Sequence, residues 1–261
     1  MRVLVFGTCY CGDESKLRLL EQWAEALRRV APGFDHLVVD SNSPVFDTAS
    51  LPLLSGFGPR GFISSEPGLL APGHRSIVSF PDNVGHLSAG GRDGWGRAFC
   101  QGLLAGMAGG YDYVIHVEGD LLTRLDLPAI CRDMAARRIE ALAAITPGKG
   151  WLETGLVLLS VGLVRRLRLV KRYDWSRRSL LPYPEILLGE LLGDAVLLRL
   201  WRGSKDDVAL ARYRIRHLDW LTKPRQPGTH EAFLSSGDWP SSGGGDPAVL
   251  DGLPPTTGQR Q

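Results

Sequence analysis

The opening forty residues constrain this chain more than any other stretch. RVLVFG (2–7) is a short apolar run, Leu17, Leu20, Ala24 and Leu27 then recur at helical spacing, and HLVVD (36–40) is apolar again. Short runs rich in branched apolar residues read as strands, and apolar residues at 3.6-residue spacing as a helix with one buried face. Asp13 and Glu14 stand where a helix start favours acceptors and negative charge; Arg28 and Arg29, followed by Pro32-Gly33, mark its end. A strand, a helix and a second strand in that order favour parallel pairing, with the helix crossing over one face of the sheet. The expected fold class is therefore α/β.

The alternation continues. RSIVSF (75–80) reads as a third strand, residues 94–107 as a helix, DYVIHV (112–117) as a strand and LPAICRDMAARR (127–138) as a helix. IEALAAIT (139–146) and GLVLLS (155–160) read as strands, and PEILLGELLGDAVLLRLW (184–201) as one long buried helix. Residues 41–74 are rich in Pro, Gly and Ser and read as long loops. The expected organisation is one domain over residues 1–224, with a first half to 125 and a second from 126, and a Pro/Gly/Ser-rich tail over 225–261. No internal repeat is visible.

A length of 261 residues is enough for one sizeable core. A net charge of +2 is far from the strongly basic balance of a nucleic-acid binder, so no nucleic-acid partner is expected. No apolar stretch approaches the ~18 residues of a membrane span, and no signal-peptide pattern follows the first strand; the expectation is a cytoplasmic protein. The four cysteines, Cys9, Cys11, Cys100 and Cys131, lack zinc-type spacing and read as reduced thiols. GTCYCG (7–12) lacks the middle glycine of a dinucleotide fingerprint, and no GxxxxGK[ST] occurs, which excludes the usual nicotinamide and P-loop classes.

The stretch YDYVIHVEGDLL (111–122) is an apolar run that stops on Glu118-Gly119-Asp120. Carboxylates at i and i+2 of an extended segment point the same way, so both reach one ligand. Two hard oxygen donors at the carboxyl end of a strand suit Mg²⁺ or Mn²⁺, and strand ends are where open α/β sheets bind ligands. The alternative is a solvated turn that ends a strand.

The segment resembles the DxD motif of GT-A glycosyltransferases, with Glu118 in place of the first acid. VVDSNSP (38–44) is similar to the family's second strand, and FPDNVGHLSAGGRDGWGRAFCQ (80–101) to the turn and helix before the DxD strand. LLGDAVLLRLWRGS (191–204) resembles the "ED" block of the inverting family 2 enzymes, with Gly193-Asp194 where that block carries two acids. The similarity covers about residues 2–204, and a closer likeness is to the majastridin-type proteins. It implies a mixed, mostly parallel sheet flanked by helices and a metal-dependent glycosyltransferase that takes its sugar from a nucleoside diphosphate, uridine being the family's commonest base. The acceptor is unidentified.

On that resemblance Asp120 binds Mn²⁺ or Mg²⁺ directly, Glu118 supports it through ribose or water, and Asp40 contacts the base beside Thr8 and Cys9. Arg92, Asp93 and Arg97, in a loop and helix start, either contact phosphate and sugar or form a solvated turn. Asp194 takes the base position, with Glu153 in GKGWLETG as its rival, and Trp151 either stacks on an acceptor sugar or fills the core. His217 is a further metal ligand or a structural residue, and His86 a loop residue within reach of phosphate. The basic run RRLRLVKRYDWSRR (165–178) reads as a solvated helix face, as a weak contact with an anionic membrane, or as a cover for the diphosphate. Two rival classes stand beside the transferase: a nucleotide-binding regulatory protein on the same scaffold, and a sugar-nucleotide nucleotidyltransferase, whose Arg- and Lys-bearing loop GTCYCGDESK matches poorly.

Overall fold

The computed structural model describes residues 1–46, 75–80, 82–83, 92–145, 152–173, 183–192, 197–202, 220–221, 232 and 234–235. Its elements are β1 (Val3–Cys9), α1 (Glu14–Val30), β2 (Asp35–Asp40), β3 (Arg75–Ser79), α2 (Arg92–Ala108), β4 (Tyr113–Val117) and β5 (Leu122–Thr123), then α3 (Leu127–Arg137), β6 (Ala141–Ile145), β7 (Leu152–Ser160), α4 (Val161–Arg166), α5 (Leu169–Arg172), α6 (Pro184–Leu192), β8 (Leu197–Arg202) and β9 (Trp220–Leu221). Seven strands form one sheet in the order β3-β2-β1-β4-β7-β6-β8, and β5 pairs with β9 in a short second ladder. Within the main sheet only β7 runs against its neighbours. This is the mixed, mostly parallel sheet flanked by helices that the sequence implies.

Alternation along each strand builds two cores. Leu4 and Phe6 of β1 join the α2 side with Val39, Phe99, Leu103 and Val114. Val3 and Val5 join the α1 and α3 side with Trp23, Leu27, Ile115 and Met134. A sheet covered on both faces explains why its strands are apolar throughout. Helix α1 begins at Asp13, whose carboxylate accepts from the backbone N–H groups of Ser15 and Lys16. The same bonds, with the Ser15 hydroxyl foremost, hold the Asp13 carboxyl below its ordinary range. Gly102 of α2 packs directly on the ring of Phe6, where a Cβ would stand 2.2 Å from the ring.

One expectation fails. The apolar stretch 184–201 is not one helix: α6 ends at Leu192 and β8 begins at Leu197, pairing in parallel with β6 from Ala141↔Leu197 onward. A fully buried strand and a buried helix carry the same continuous apolar signal, so periodicity does not separate them. Here the open edge of β6 offered backbone partners, and pairing overrode the helical preference of the leucines.

His116 sits in the middle of β4, fully buried among Phe6, Trp95 and Phe99. Its Nδ1 lies 2.9 Å from the carbonyl oxygen of Thr154, which only accepts, so Nδ1 carries the proton of a neutral ring. Burial pushes its pKa down from the ordinary 6.5 to about 4. The unfolded chain therefore binds a proton that the folded one refuses, and stability falls as pH drops from about 6.5 to about 4, by roughly 3 kcal/mol. Urea unfolding at pH 7 and pH 4.5 measures this loss, and His116→Phe should flatten it.

Candidate functional site

The parallel register Phe6↔His116 brings the carboxyl ends of β1 and β4 to the same edge of the sheet. At that edge Glu118-Gly119-Asp120 forms a tight turn, closed by the Leu121 N–H donating to the Glu118 carbonyl at 2.8 Å. The extended geometry expected for the two acids is thus replaced by a turn, yet both remain on one cavity. The Glu118 N–H donates to the Gly155 carbonyl at 2.8 Å, fixing the turn against β7. Gly119 explains why no other residue separates the acids. A Cβ there would meet the Thr8 carbonyl oxygen at 2.8 Å and the Cys9 Cβ at 3.4 Å, so the turn seats directly on the backbone of β1.

The cleft above this junction holds about 160 Å³. Thr8, Cys9, Tyr10 and Cys11 line it from β1 and the loop that follows, Lys16, Leu19 and Leu20 from α1, and Glu118, Gly119 and Asp120 from the turn. Tyr10 is 47% exposed. A half-exposed aromatic ring, a lysine on the first turn of a helix and two carboxylates share one small concave surface, which suits a ligand with a flat, apolar part and an anionic part. Tyr10, Cys11 and Lys16 join the lining without a signal in any motif of the sequence. The placement of the α1 start at Asp13 and Glu14 was the signal for Lys16, because a helix following a parallel strand begins at that strand's carboxyl edge.

Asp40 is held by the chain itself. It lies at the same edge, at the end of β2, but its side chain is 0% exposed. One carboxylate oxygen accepts from the Ser43 hydroxyl and from the Cys9 thiol at 3.6 Å; the other accepts from the Ser43 N–H at 2.9 Å and the Ser79 hydroxyl at 2.6 Å. A carboxylate has about four acceptor positions, and all are in use. Asp40 therefore ties β1, β2 and β3 together through Cys9, Ser43 and Ser79. Asp40→Asn turns two acceptor positions into donors aimed at donors, and should cost roughly 2–3 kcal/mol of stability. Denaturant unfolding measures the cost; altered discrimination between UDP and GDP without loss of stability would support the base-contact role.

Arg92 and Asp93 begin α2 at the cleft edge of the sheet, with their side chains outside the described residues. Arg97 is not in a solvated turn: it is 4% exposed on the second turn of α2. Glu153 is placed near the start of β7, paired with Ala144 and two residues before the carbonyl that holds Glu118, so its backbone belongs to the same edge; its side chain lies outside the described residues. Trp151, Asp194, His217 and His86 lie outside the described residues. Arg165 and Arg166 are placed away from the cleft. Helix α4 starts where the Val161 N–H donates to the carbonyl of Asp112, before β4, and Arg165 donates to the Met107 carbonyl at 2.8 Å while Arg166 forks onto Glu140. These two residues stand at the opposite edge of the sheet, which removes them from any cover over a diphosphate. Among the described residues, no helix is long and apolar enough to cross a membrane.

Glu118 and Asp120 fit a hard divalent cation. Mg²⁺ and Mn²⁺ are commonly held by one or two carboxylates, the remaining positions being filled by water and phosphate oxygens. Both acids line a cleft open enough for such oxygens. Among the described residues no group of three or more His, Cys, Asp and Glu side chains forms a fuller protein cage.

No protein-family model and no curated protein matches the chain. Solved structures with a similar course of the chain include an active-site mutant of LgtC, 15% identical, with 76% of this chain and 72% of that one covered at a TM-score of 0.43. Another is S. aureus TarS 1–349 in complex with UDP, 12% identical, with 64% and 48% covered at a TM-score of 0.39. A third is a nucleotide-diphospho-sugar transferase described as putative from Desulfovibrio desulfuricans, 11% identical, with 62% and 65% covered at 0.36. The chain spans about half the length of the TarS fragment.

Proposed function

We propose that the chain transfers a sugar from a nucleoside-diphosphate sugar, with UDP as the donor nucleotide, to an acceptor hydroxyl at the cleft between β1, α1 and the carboxylate turn. The observation that carries this reading is the turn itself: two acids flank a glycine that rests on the β1 backbone, where a Cβ would meet the Thr8 carbonyl oxygen, and the turn shares a cleft with the first turn of a helix. Asp120 would hold a Mn²⁺ or Mg²⁺ ion, with Glu118 supporting it through ribose or water. When bound, the ion supplies positive charge that makes the diphosphate a better leaving group.

The chain's own residues supply the rest. The Tyr10 ring offers a flat face to the base, and the Lys16 ammonium attracts the phosphates to the cleft. The first turn of α2, carrying Arg92 and Asp93, adds backbone N–H groups at the same edge. Glu153 or Asp194 takes the proton of the acceptor hydroxyl if transfer inverts configuration. UDP comes from the family resemblance of the sequence.

Calorimetric titration of UDP and GDP, each with Mn²⁺, Mg²⁺ or EDTA, tests the reading. UDP should bind with metal present and not in EDTA. Absence of any nucleotide binding under all conditions overturns it. Metal-dependent UDP binding without release of UDP from any sugar donor and acceptor tried would instead favour a binding protein on this scaffold.

A further inference from the structure

Pairing of β1 with β2 stops at Cys9↔Asp40, one residue before Tyr10, and its last bond runs from the Ser41 N–H to the Cys9 carbonyl at 3.0 Å. Asn42 then turns the chain in the left-handed region, at φ 59°. Beyond the end of the ladder a side chain takes over. The buried N–H of Cys11 donates to the Ser43 hydroxyl oxygen at 2.6 Å.

Ser43 is itself held. It is fully buried, its hydroxyl proton goes to one oxygen of Asp40, and its N–H donates to the other at 2.9 Å. A hydroxyl has one proton and two lone pairs. With the proton committed to the carboxylate, the oxygen turns its lone pairs to Cys11, and the charge behind it strengthens that bond. Asp40 is fixed in turn by the Ser79 hydroxyl of β3 at 2.6 Å. Between the two anchored positions, the Cys9 carbonyl and the Cys11 N–H, stands the half-exposed Tyr10, which lines the cleft. Its ring lies over Gly12, where a Cβ would stand 3.4 Å from the ring edge. A ring carried on a backbone held on both sides has its direction set before a ligand arrives, which spares the ordering that binding would otherwise require.

We propose that Ser43 is a positioning residue of the cleft: its hydroxyl fixes the backbone at Cys11 and thereby presents the Tyr10 ring to the base of a nucleoside diphosphate. The nucleotide half of this statement rests on the function proposed above; the hold on residues 10–12 does not. Ser43 is not among the residues that line the cleft, so it acts through the ring. Removing its hydroxyl frees the Cys11 N–H, while Asp40 keeps the Ser43 N–H, the Ser79 hydroxyl and the Cys9 thiol. The sheet stays and the cleft loop loosens.

Amide exchange on the full chain without ligand reads the hold. In Ser43→Ala the amides of Tyr10, Cys11 and Gly12 should exchange about tenfold faster or more, while those of Leu4, Val5 and Phe6 keep their wild-type rates. Unchanged rates at 10–12, or equal acceleration along all of β1, overturn the proposal. Ser43→Cys keeps the size of the side chain and offers only a weak acceptor. It should fall between wild type and Ser43→Ala, and it carries the test if Ser43→Ala does not fold.

Calorimetry with UDP in Mn²⁺ reads the consequence. Ser43→Ala should bind about tenfold more weakly. In a Tyr10→Ala background the same substitution should weaken binding by less than about twofold, because no ring is left to position. Additive losses overturn the action through Tyr10. If the wild-type protein binds no nucleotide while the amides of residues 10–12 respond as expected, the function proposed above fails and the hold on Tyr10 stands.

Discussion

Asp120→Ala should abolish metal-dependent UDP binding while the protein stays folded. The turn that carries Asp120 is held by backbone bonds, the Leu121 N–H to the Glu118 carbonyl and the Glu118 N–H to the Gly155 carbonyl, and by the seat of Gly119 on Thr8. Truncating a side chain on such a turn leaves its path intact. What disappears is one of two anionic oxygen donors at a cleft whose ligand is itself anionic; without the ion, Glu118 and the diphosphate repel each other. The affinity for UDP in Mn²⁺ should fall by about a hundredfold or more, roughly 3 kcal/mol, with unfolding shifted little. Glu118→Gln should weaken binding less, because its expected role is indirect. Calorimetry on the three proteins reads the order, and wild-type affinity in Asp120→Ala would return the turn to a mere strand terminus.

Much of the scaffold is legible in the sequence because its signals are local. The β1-α1-β2 opening shows as runs and spacings within forty residues, and each element forms where those runs lie. The carboxylate turn is legible for a different reason: a run of core quality stops on two charges, and charge does not continue into a core. What eludes the sequence depends on partners distant in the chain. Asp40 stands at a strand end, and only the fold shows that Ser43 and Ser79, the latter 39 residues away, fill its acceptor positions. β8 looks helical until the edge of β6 is there to pair with it. The seat of Gly119 on Thr8 requires two strands side by side, which no reading of Glu118-Gly119-Asp120 alone can supply.

The proton acceptor for an inverting transfer is decided by paired isosteric exchanges, and Glu153→Gln should carry the larger effect. The resemblance assigns the position to Asp194, but the backbone of Glu153 stands at the same edge of the sheet as the cleft. It lies near the start of β7, two residues before the carbonyl that anchors the Glu118 turn. A general base must lie within hydrogen-bond reach of the hydroxyl it deprotonates, so position takes precedence over family analogy. Gln keeps the size and hydrogen-bonding shape of Glu and removes only the ability to take a proton. Glu153→Gln should therefore lose about 10²–10⁴ in kcat, with UDP affinity unchanged because donor binding does not need the base. Asp194→Asn should leave kcat within severalfold of wild type. The reverse pattern moves the base to Asp194. Full activity in both variants means that no carboxylate base is needed at either position, the behaviour expected of transfer with retention of configuration.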